Sequence, residues 1–324
     1  MGFMGQLIDG KWRDDSVAPN DKFTRAEPMF RNWVTRDGST GPTGKDGFKA
    51  ESGRYHLYVS YACPWAHRTL IYRAMKGLQK HISVNVVHPE ALDKGWSFNS
   101  DFRGATGDQL MAKAYLYEVY QASDPQVTCR STVPILWDRQ RHEIVSNESS
   151  EIIRMFNTAF NAVAQNDDDY YPTALRDDID ELNTRVYDTL NNGVYRCGFA
   201  RTQDAYDEAV TELFDTMDYL ESRLQSQRFL LGDRLTEADL RLFPTLVRFD
   251  PVYNGHFKCN IKLLVYYPAL WDYTRAIYQI PAIRDTVAFD HIKRHYYFSH
   301  ESINPKRIVP SGPVIDFDAP SSRT

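Results

Sequence analysis

Cysteine is scarce in this sequence. Cys63, Cys129, Cys197 and Cys259 are the only four in 324 residues, and none of them form a Cys-x-x-Cys pair or a metal-ligand spacing. A disulfide-built scaffold and a zinc module do not fit, no metal is expected, and a reducing compartment, the cytoplasm, fits best. Positive charge is not in excess either. Lys+Arg number 38 against 43 Asp+Glu, and the formal charge of −5 argues against nucleic acid or an anionic membrane as the main partner. No apolar run approaches a membrane span, and the opening MGFMGQLIDGKWRDD lacks the apolar core of a signal peptide. Its Met1-Gly2 start hints at myristoylation, but Gln6 stands where Ser or Thr is needed. What is present, 42% hydrophobic and 25% charged residues over a length sufficient for two domains, is ordinary for a soluble globular protein.

The organising stretch is 55–77, YHLYVSYACPWAHRTLIYRAMKG. Aromatic and β-branched residues from Tyr55 to Tyr61 predict a strand, and the apolar spacing Ala66, Leu70, Ile71, Ala74 and Met75 predicts a helix. Cys63 therefore sits where strand hands over to helix, with Pro64 suited to the first helical position and Gly77 to the C-terminal stop. The unpaired amides and positive dipole end of that helix favour a thiolate over a thiol. Most free cysteines are small buried hydrophobes, but this setting favours a working thiol. Position 66 is Ala, so the thiol has no resolving cysteine beside it.

Residues 1–52 form an N-terminal extension whose Trp12, Phe23, Phe30 and Trp33 are expected to pin it to the folded body, and whose second half is a Gly/Thr/Pro-rich loop. A strand over 82–88 completes a βαβ unit with parallel strands. Residues 89–127 are too long for an ordinary connection and read as a functional insertion, with a helical pattern through Leu110, Ala114, Leu116, Tyr117 and Tyr120. Trp96, beside Gly95, is either ligand-facing or an anchor for the insertion. A hairpin follows, from strands over 132–137 and 142–146. Pro134 is out of place in a central strand; a cis Val133-Pro134 bond would leave the Val133 backbone free to pair with an extended, peptide-like ligand, whereas a trans proline on an edge strand is the plainer alternative. Ser146-Asn-Glu-Ser-Ser-Glu151 supplies an N-cap and early acidic residues for a helix whose apolar face starts at Ile152, and such a helix start is also a carboxylate site.

Beyond a linker near 167–172 the spacing is helical throughout. Ile179, Leu182, Val186 and Leu190 share a face, as do Val210, Leu213, Phe214, Met217, Leu220 and Leu224. Thr236 with Asp239 forms a capping box and Leu235 with Leu240 a hydrophobic staple; further helices are expected at 240–248 and 269–278, then an extended, proline-rich tail. Tyr195, Tyr253 and Tyr296 lie off the helical stripes beside Gly, Pro or His. Each alone reads as a core anchor; together they suit a pocket for an aromatic, hydroxylated ligand.

This order of parts resembles the cytosolic glutathione transferases over nearly the whole chain. Cys63-Pro-Trp-Ala-His-Arg68, Gly95-Trp96 in the long insertion, Arg130-x-Thr-Val-Pro134, Ser146-Asn-Glu-Ser149, Asn191-Asn-Gly-Val-Tyr195 and Phe249-Asp-Pro-Val-Tyr253 resemble the Xi class, the glutathionyl-hydroquinone reductases. The resemblance implies an α/β thioredoxin-like domain over 53–160, with the insertion at 89–127, an all-α helical domain over 161–300, a tail over 301–324, and a homodimer. It implies glutathione as co-substrate, with Val133 and a cis Pro134 on its cysteinyl part, Glu148 and Ser149 on its γ-glutamyl end, and Trp96 and Arg130 on the tripeptide. Cys63 would face the glutathione sulfur, and Tyr195, Tyr253 and Tyr296 would line the hydroquinone pocket, Tyr195 or Tyr296 donating a proton. A serine or tyrosine at position 63 would only polarise bound glutathione, whereas a cysteine can itself take the glutathionyl group. An omega-like thioltransferase or dehydroascorbate reductase needs the same Cys63; a non-catalytic interaction module does not need a reactive thiol at all.

Overall fold

The computed structural model describes residues 5–14 and 23–323; the Met1-Gly2 start lies outside the described residues. The arm contributes β1 (Gln6–Ile8) and β2 (Lys11–Arg13), an antiparallel hairpin, then β3 (Trp33–Thr35) and β4 (Gly47–Lys49), a short parallel pair. β5 (Tyr55–Val59), α1 (Pro64–Met75) and β6 (Ile82–Val86) form the βαβ unit. The insertion carries β7 (Ala91–Leu92), β8 (Gly95–Trp96) and α2 (Leu116–Ser123). The hairpin is β9 (Ile135–Asp138) with β10 (Glu143–Ser146), followed by α3 (Ser149–Thr158). Helices then follow: α4 (Arg176–Val186), α5 (Gly193–Gly198), α6 (Gln203–Leu224), α7 (Glu237–Arg248), the single turn α8 (Asn254–His256), α9 (Pro268–Tyr278), α10 (Pro281–Arg284) and α11 (Phe289–Ser299).

The chain divides into two compact units. The first takes the described residues of Met1–Ala18, Ala26–Asp168 and Thr286–Ser302; the second takes those of Pro19–Arg25, Asp169–Asp285 and Ile303–Thr324.

In the first unit the sheet order is β10-β9-β5-β6, with β6 parallel and β9 antiparallel to β5. All five residues of β5 are buried, as a central strand covered on both faces requires. β9 begins only after Pro134, which keeps the imino nitrogen out of the ladder. Arg54 Nε reaches Asp138 Oδ1 at 3.0 Å and its Nη2 reaches Oδ2 at 2.5 Å, tying the entry of β5 to the end of β9. The arm is pinned as expected: Trp12 stacks on Tyr117 and Phe30 meets Tyr120 edge-on. The insertion differs from expectation. Its helix begins at Leu116, not near Leu110, because the Asp108 carboxylate accepts from the amides of Leu110, Met111 and Lys113 at 3.0–3.2 Å and diverts them from helical bonding.

The second unit is helical, and both predicted faces are buried. Its chain is interrupted by two π-helical turns, Tyr187–Asn191 and Phe249–Tyr253, of a kind frequent at functional sites. The capping box is present: Asp239 Oδ2 accepts from the Thr236 amide at 2.7 Å and its hydroxyl at 2.9 Å. The tail carries no helix or strand among its described residues, yet Phe317 packs against Trp271 and Tyr278, and Arg323 donates to the carbonyls of Leu224 and Gln227.

Candidate active site

Cys63 is the N-cap of α1, with extended backbone angles (φ −76°, ψ 122°), and Pro64 occupies the first helical position. The half-buried sulfur stands where the helix presents its first amides, and Sγ donates to the Val133 carbonyl at 3.5 Å. The Val133–Pro134 bond is cis. Two segments 70 residues apart in sequence, the strand-to-helix turn and the hairpin entry, are thus brought together at the sulfur.

The other thiols are differently placed. Burial pushes Cys129 up to about 12, and burial, then the neighbouring Cys197 thiol, holds Cys259 well above the ordinary range. Neither is set up as a nucleophile at neutral pH.

At the start of α3, Glu148 is the N-cap and its carboxylate accepts from both the amide and the hydroxyl of Ser150 at 2.7 Å. Ser149 is the first helical residue and is buried. This turn is buttressed by a residue that the sequence reading missed. Arg31 Nη2 and Nε reach Glu151 Oε1 and Oε2 at 2.5 and 2.8 Å, and Thr43 Oγ1 donates to Oε1 at 2.8 Å. Backbone bonds Asn32 N to Val145 O (3.0 Å) and Asn147 N to Phe30 O (3.1 Å) lay the arm along the strand that leads into α3. No local motif marks Arg31; only its partner 120 positions away gives it meaning.

Trp96, in the insertion, is 3% exposed, and its indole stacks on His295 with centroids 4.5 Å apart. This burial and stacking fit the anchoring half of the sequence reading. Arg130 is half-buried, three residues before Val133. Tyr296, 1% exposed on α11, shares the first unit with Cys63, Trp96, Arg130, Val133, Pro134, Glu148 and Ser149.

Tyr195 and Tyr253 come together in the second unit, 6.2 Å between centroids, each delivered by or just after a π-helical turn. Phe199 and Phe257 complete an aromatic cluster with them. The arm contributes here too: Phe23 stacks on Tyr195 and Phe199, and the Arg25 guanidinium lies 4.9 Å from the Tyr195 ring centre with Nε 2.8 Å from Asn192 Oδ1. Phe23 was expected as an anchor; Arg25 was not foreseen.

Among the described residues no group of His, Cys, Asp and Glu is arranged to hold a metal ion, and no helix is long and apolar enough to cross a membrane.

The sequence matches the glutathione S-transferase N-terminal domain over residues 62–159 and the glutathione S-transferase C-terminal domain over 203–276. It is 56% identical to glutathionyl-hydroquinone reductase YqjG of Escherichia coli (strain K12), covering 99% of this chain and 98% of that one. It is 50% identical to glutathionyl-hydroquinone reductase PcpF of Sphingobium chlorophenolicum, covering 96% and 97%. The fold superposes on the glutathione-bound structure of YqjG with a TM-score of 0.92 at 55% identity, over 98% of this chain and 99% of that one. An Xi-class glutathione transferase from Natrialba magadii gives a TM-score of 0.91 at 48% identity, covering 99% and 97%. With its thioredoxin-like sheet, its helical second unit and this likeness over nearly its full length, the chain belongs to the Xi class of the glutathione transferases, the family of the glutathionyl-hydroquinone reductases.

Proposed function

We propose that this protein reduces glutathionyl-hydroquinones to hydroquinones with glutathione as co-substrate, through a mixed disulfide on Cys63. The observation that carries the proposal is the Cys63 sulfur at the head of α1, 3.5 Å from the carbonyl of Val133. A tripeptide paired through its cysteinyl backbone with Val133, after the cis Pro134, has its own sulfur beside Cys63. Glu148 and Ser149 take the γ-glutamyl end, Trp96 and Arg130 contact the tripeptide, and Arg130 supplies a charge-assisted donor to a carboxylate. Tyr195, Tyr253 and Tyr296 take the ring.

The Cys63 thiolate attacks the glutathione sulfur and the sulfur–carbon bond to the ring breaks. An aryl carbanion is a poor leaving group, so the ring first tautomerises to a ketone and leaves as its enolate. A proton from a tyrosine hydroxyl, Tyr195 or Tyr296, completes the hydroquinone. A second glutathione thiolate then attacks the glutathionyl sulfur on Cys63, releasing glutathione disulfide and the free thiolate, with ping-pong kinetics. The ring carbon is reduced and the two glutathione sulfurs are oxidised.

The same proposal takes 53–160 as the glutathione-binding domain, 89–127 as its insertion, 161–300 as the helical domain, although its last helix, α11, groups with the first compact unit, and 301–324 as the tail. It places the enzyme in the cytoplasm, in keeping with four free cysteines, and as a homodimer, which light scattering of the purified chain tests. Relatives named omega-like, such as one from Schizosaccharomyces pombe at 50% identity, keep a general thioltransferase in view. Faster turnover of a small mixed disulfide than of a glutathionyl-hydroquinone would favour that reading. The direct test is mass spectrometry after one turnover with a glutathionyl-hydroquinone and no free glutathione. One glutathionyl group is expected on Cys63 and none in Cys63→Ser; an unmodified wild-type Cys63 with released hydroquinone would refute the covalent route.

A further inference from the structure

We propose that His295 is a positioning residue for the glutathione site, holding the Trp96 indole in the orientation in which it meets the tripeptide. The inference rests on the assignment of Trp96 to glutathione made above. Four contacts form a closed circuit. The His295 ring lies 24° from parallel to the indole at 4.5 Å, and its Nδ1 donates to the Pro89 carbonyl at 2.9 Å, since a carbonyl only accepts. One turn further along α11, Ser299 Oγ accepts from the Ala91 amide at 3.0 Å. Ala91 is the residue paired with Trp96 across β7 and β8, which returns the circuit to the indole.

Two further links fix α11 to the same insertion: Arg294 Nη2 pairs with Glu90 Oε1 at 2.5 Å, and His291 Nε2 meets the Arg103 carbonyl at 2.6 Å. The imidazole is therefore held at its nitrogen and along its helix, and the indole stacks on a surface that does not turn. Because Trp96 is 3% exposed, a small rotation changes which atoms it presents. The helix that carries Tyr296 thereby also orients a glutathione contact, so ring-side and tripeptide-side residues share one rigid support.

The test separates ring from hydrogen bond. His295→Ala removes both, His295→Gln keeps a donor for Pro89, and His295→Phe keeps a stacking ring. Glutathione affinity is measured by calorimetry on the full chain, with kcat at saturating glutathione and thermal unfolding alongside. His295→Ala is expected to weaken glutathione binding about tenfold with kcat changed less than about twofold, and His295→Phe to recover most of the affinity where His295→Gln does not. If Trp96→Ala weakens binding and none of the three His295 variants does, the positioning role is overturned while the Trp96 assignment stands. If Trp96→Ala itself leaves affinity unchanged, both fall. A loss of affinity in all three variants that tracks their loss of thermal stability overturns the proposal in favour of a purely structural role.

Discussion

Replacing Arg31 by Met tests whether the N-terminal arm is part of the glutathione-binding apparatus or only a strap across it. In the native chain two guanidinium nitrogens reach the two Glu151 oxygens at 2.5 and 2.8 Å, and the hydrogen bonds to Glu151 hold Arg31 above its ordinary pKa. The Glu151 side chain is 8% exposed and that of Arg31 32% exposed. Met keeps much of the aliphatic stem but leaves a nearly buried carboxylate with Thr43 as its remaining partner among these contacts. Breaking one side of a fully buried pair costs about 3–5 kcal/mol; with a third of the arginine reached by water, about 2 kcal/mol is expected here. The effect then travels to the site, because Glu151 is in the first turn of α3, three residues after Glu148 and two after Ser149. Once the arm loosens from 145–147, that turn loses its support, and glutathione affinity should fall roughly threefold to tenfold, equivalent to about 0.7–1.4 kcal/mol. Urea unfolding and calorimetry of Arg31→Met, Glu151→Gln and the double variant measure both quantities. Additive losses in the cycle would refute the coupling. A stability loss near 2 kcal/mol with unchanged glutathione affinity would refute the functional part.

What was legible in the sequence was local. The Cys63-Pro64 start of α1 follows from neighbours within one turn, and the Thr236–Asp239 box from residues three apart. The faces of α4 and α6 follow from helical period alone, and even the π-helical turn after Val186 leaves Leu190 buried. Hidden were the features that depend on distant segments. The helix bearing Tyr296 returns to the first unit, which no period or composition change announces. Trp96 could be read equally as ligand-facing or anchoring because His295, which decides its packing, lies far along the chain. The start of α2 was misplaced because a single carboxylate, Asp108, fixed in turn by Asn85 Nδ2 at 2.9 Å, captures amides that apolar spacing assigns to a helix. Side-chain competition for backbone groups is invisible to a hydrophobic pattern.

Two predictions concern buried titratable groups. Burial holds the His56 imidazole down to about 4 from 6.5, so the unfolded chain binds its proton more readily than the folded one. Its contribution is fully present above pH 6.5 and is lost as pH falls toward 4, up to about 3 kcal/mol; urea titrations at pH 7 and pH 5 should show a slope that His56→Gln flattens, and an equal slope in both proteins would refute it. Asp239 sharpens the same question for an acid. Burial pushes its carboxyl above the ordinary range, while the amides of Leu230 and Thr236, the Thr236 hydroxyl and the Tyr273 hydroxyl, at 2.7–2.9 Å, pull the other way. The two amides can only donate, so a carboxylate satisfies all four partners, whereas an asparagine must turn its NH2 toward one of them. Asp239→Asn is therefore expected to cost about 3 kcal/mol at pH 7, and Thr236→Val about 1 kcal/mol. Were the carboxyl protonated in the folded chain, the amide would replace it nearly evenly. A loss below about 1 kcal/mol on Asp239→Asn would then show that the carboxyl is protonated in the folded chain at pH 7, reversing the electrostatic account of this helix start.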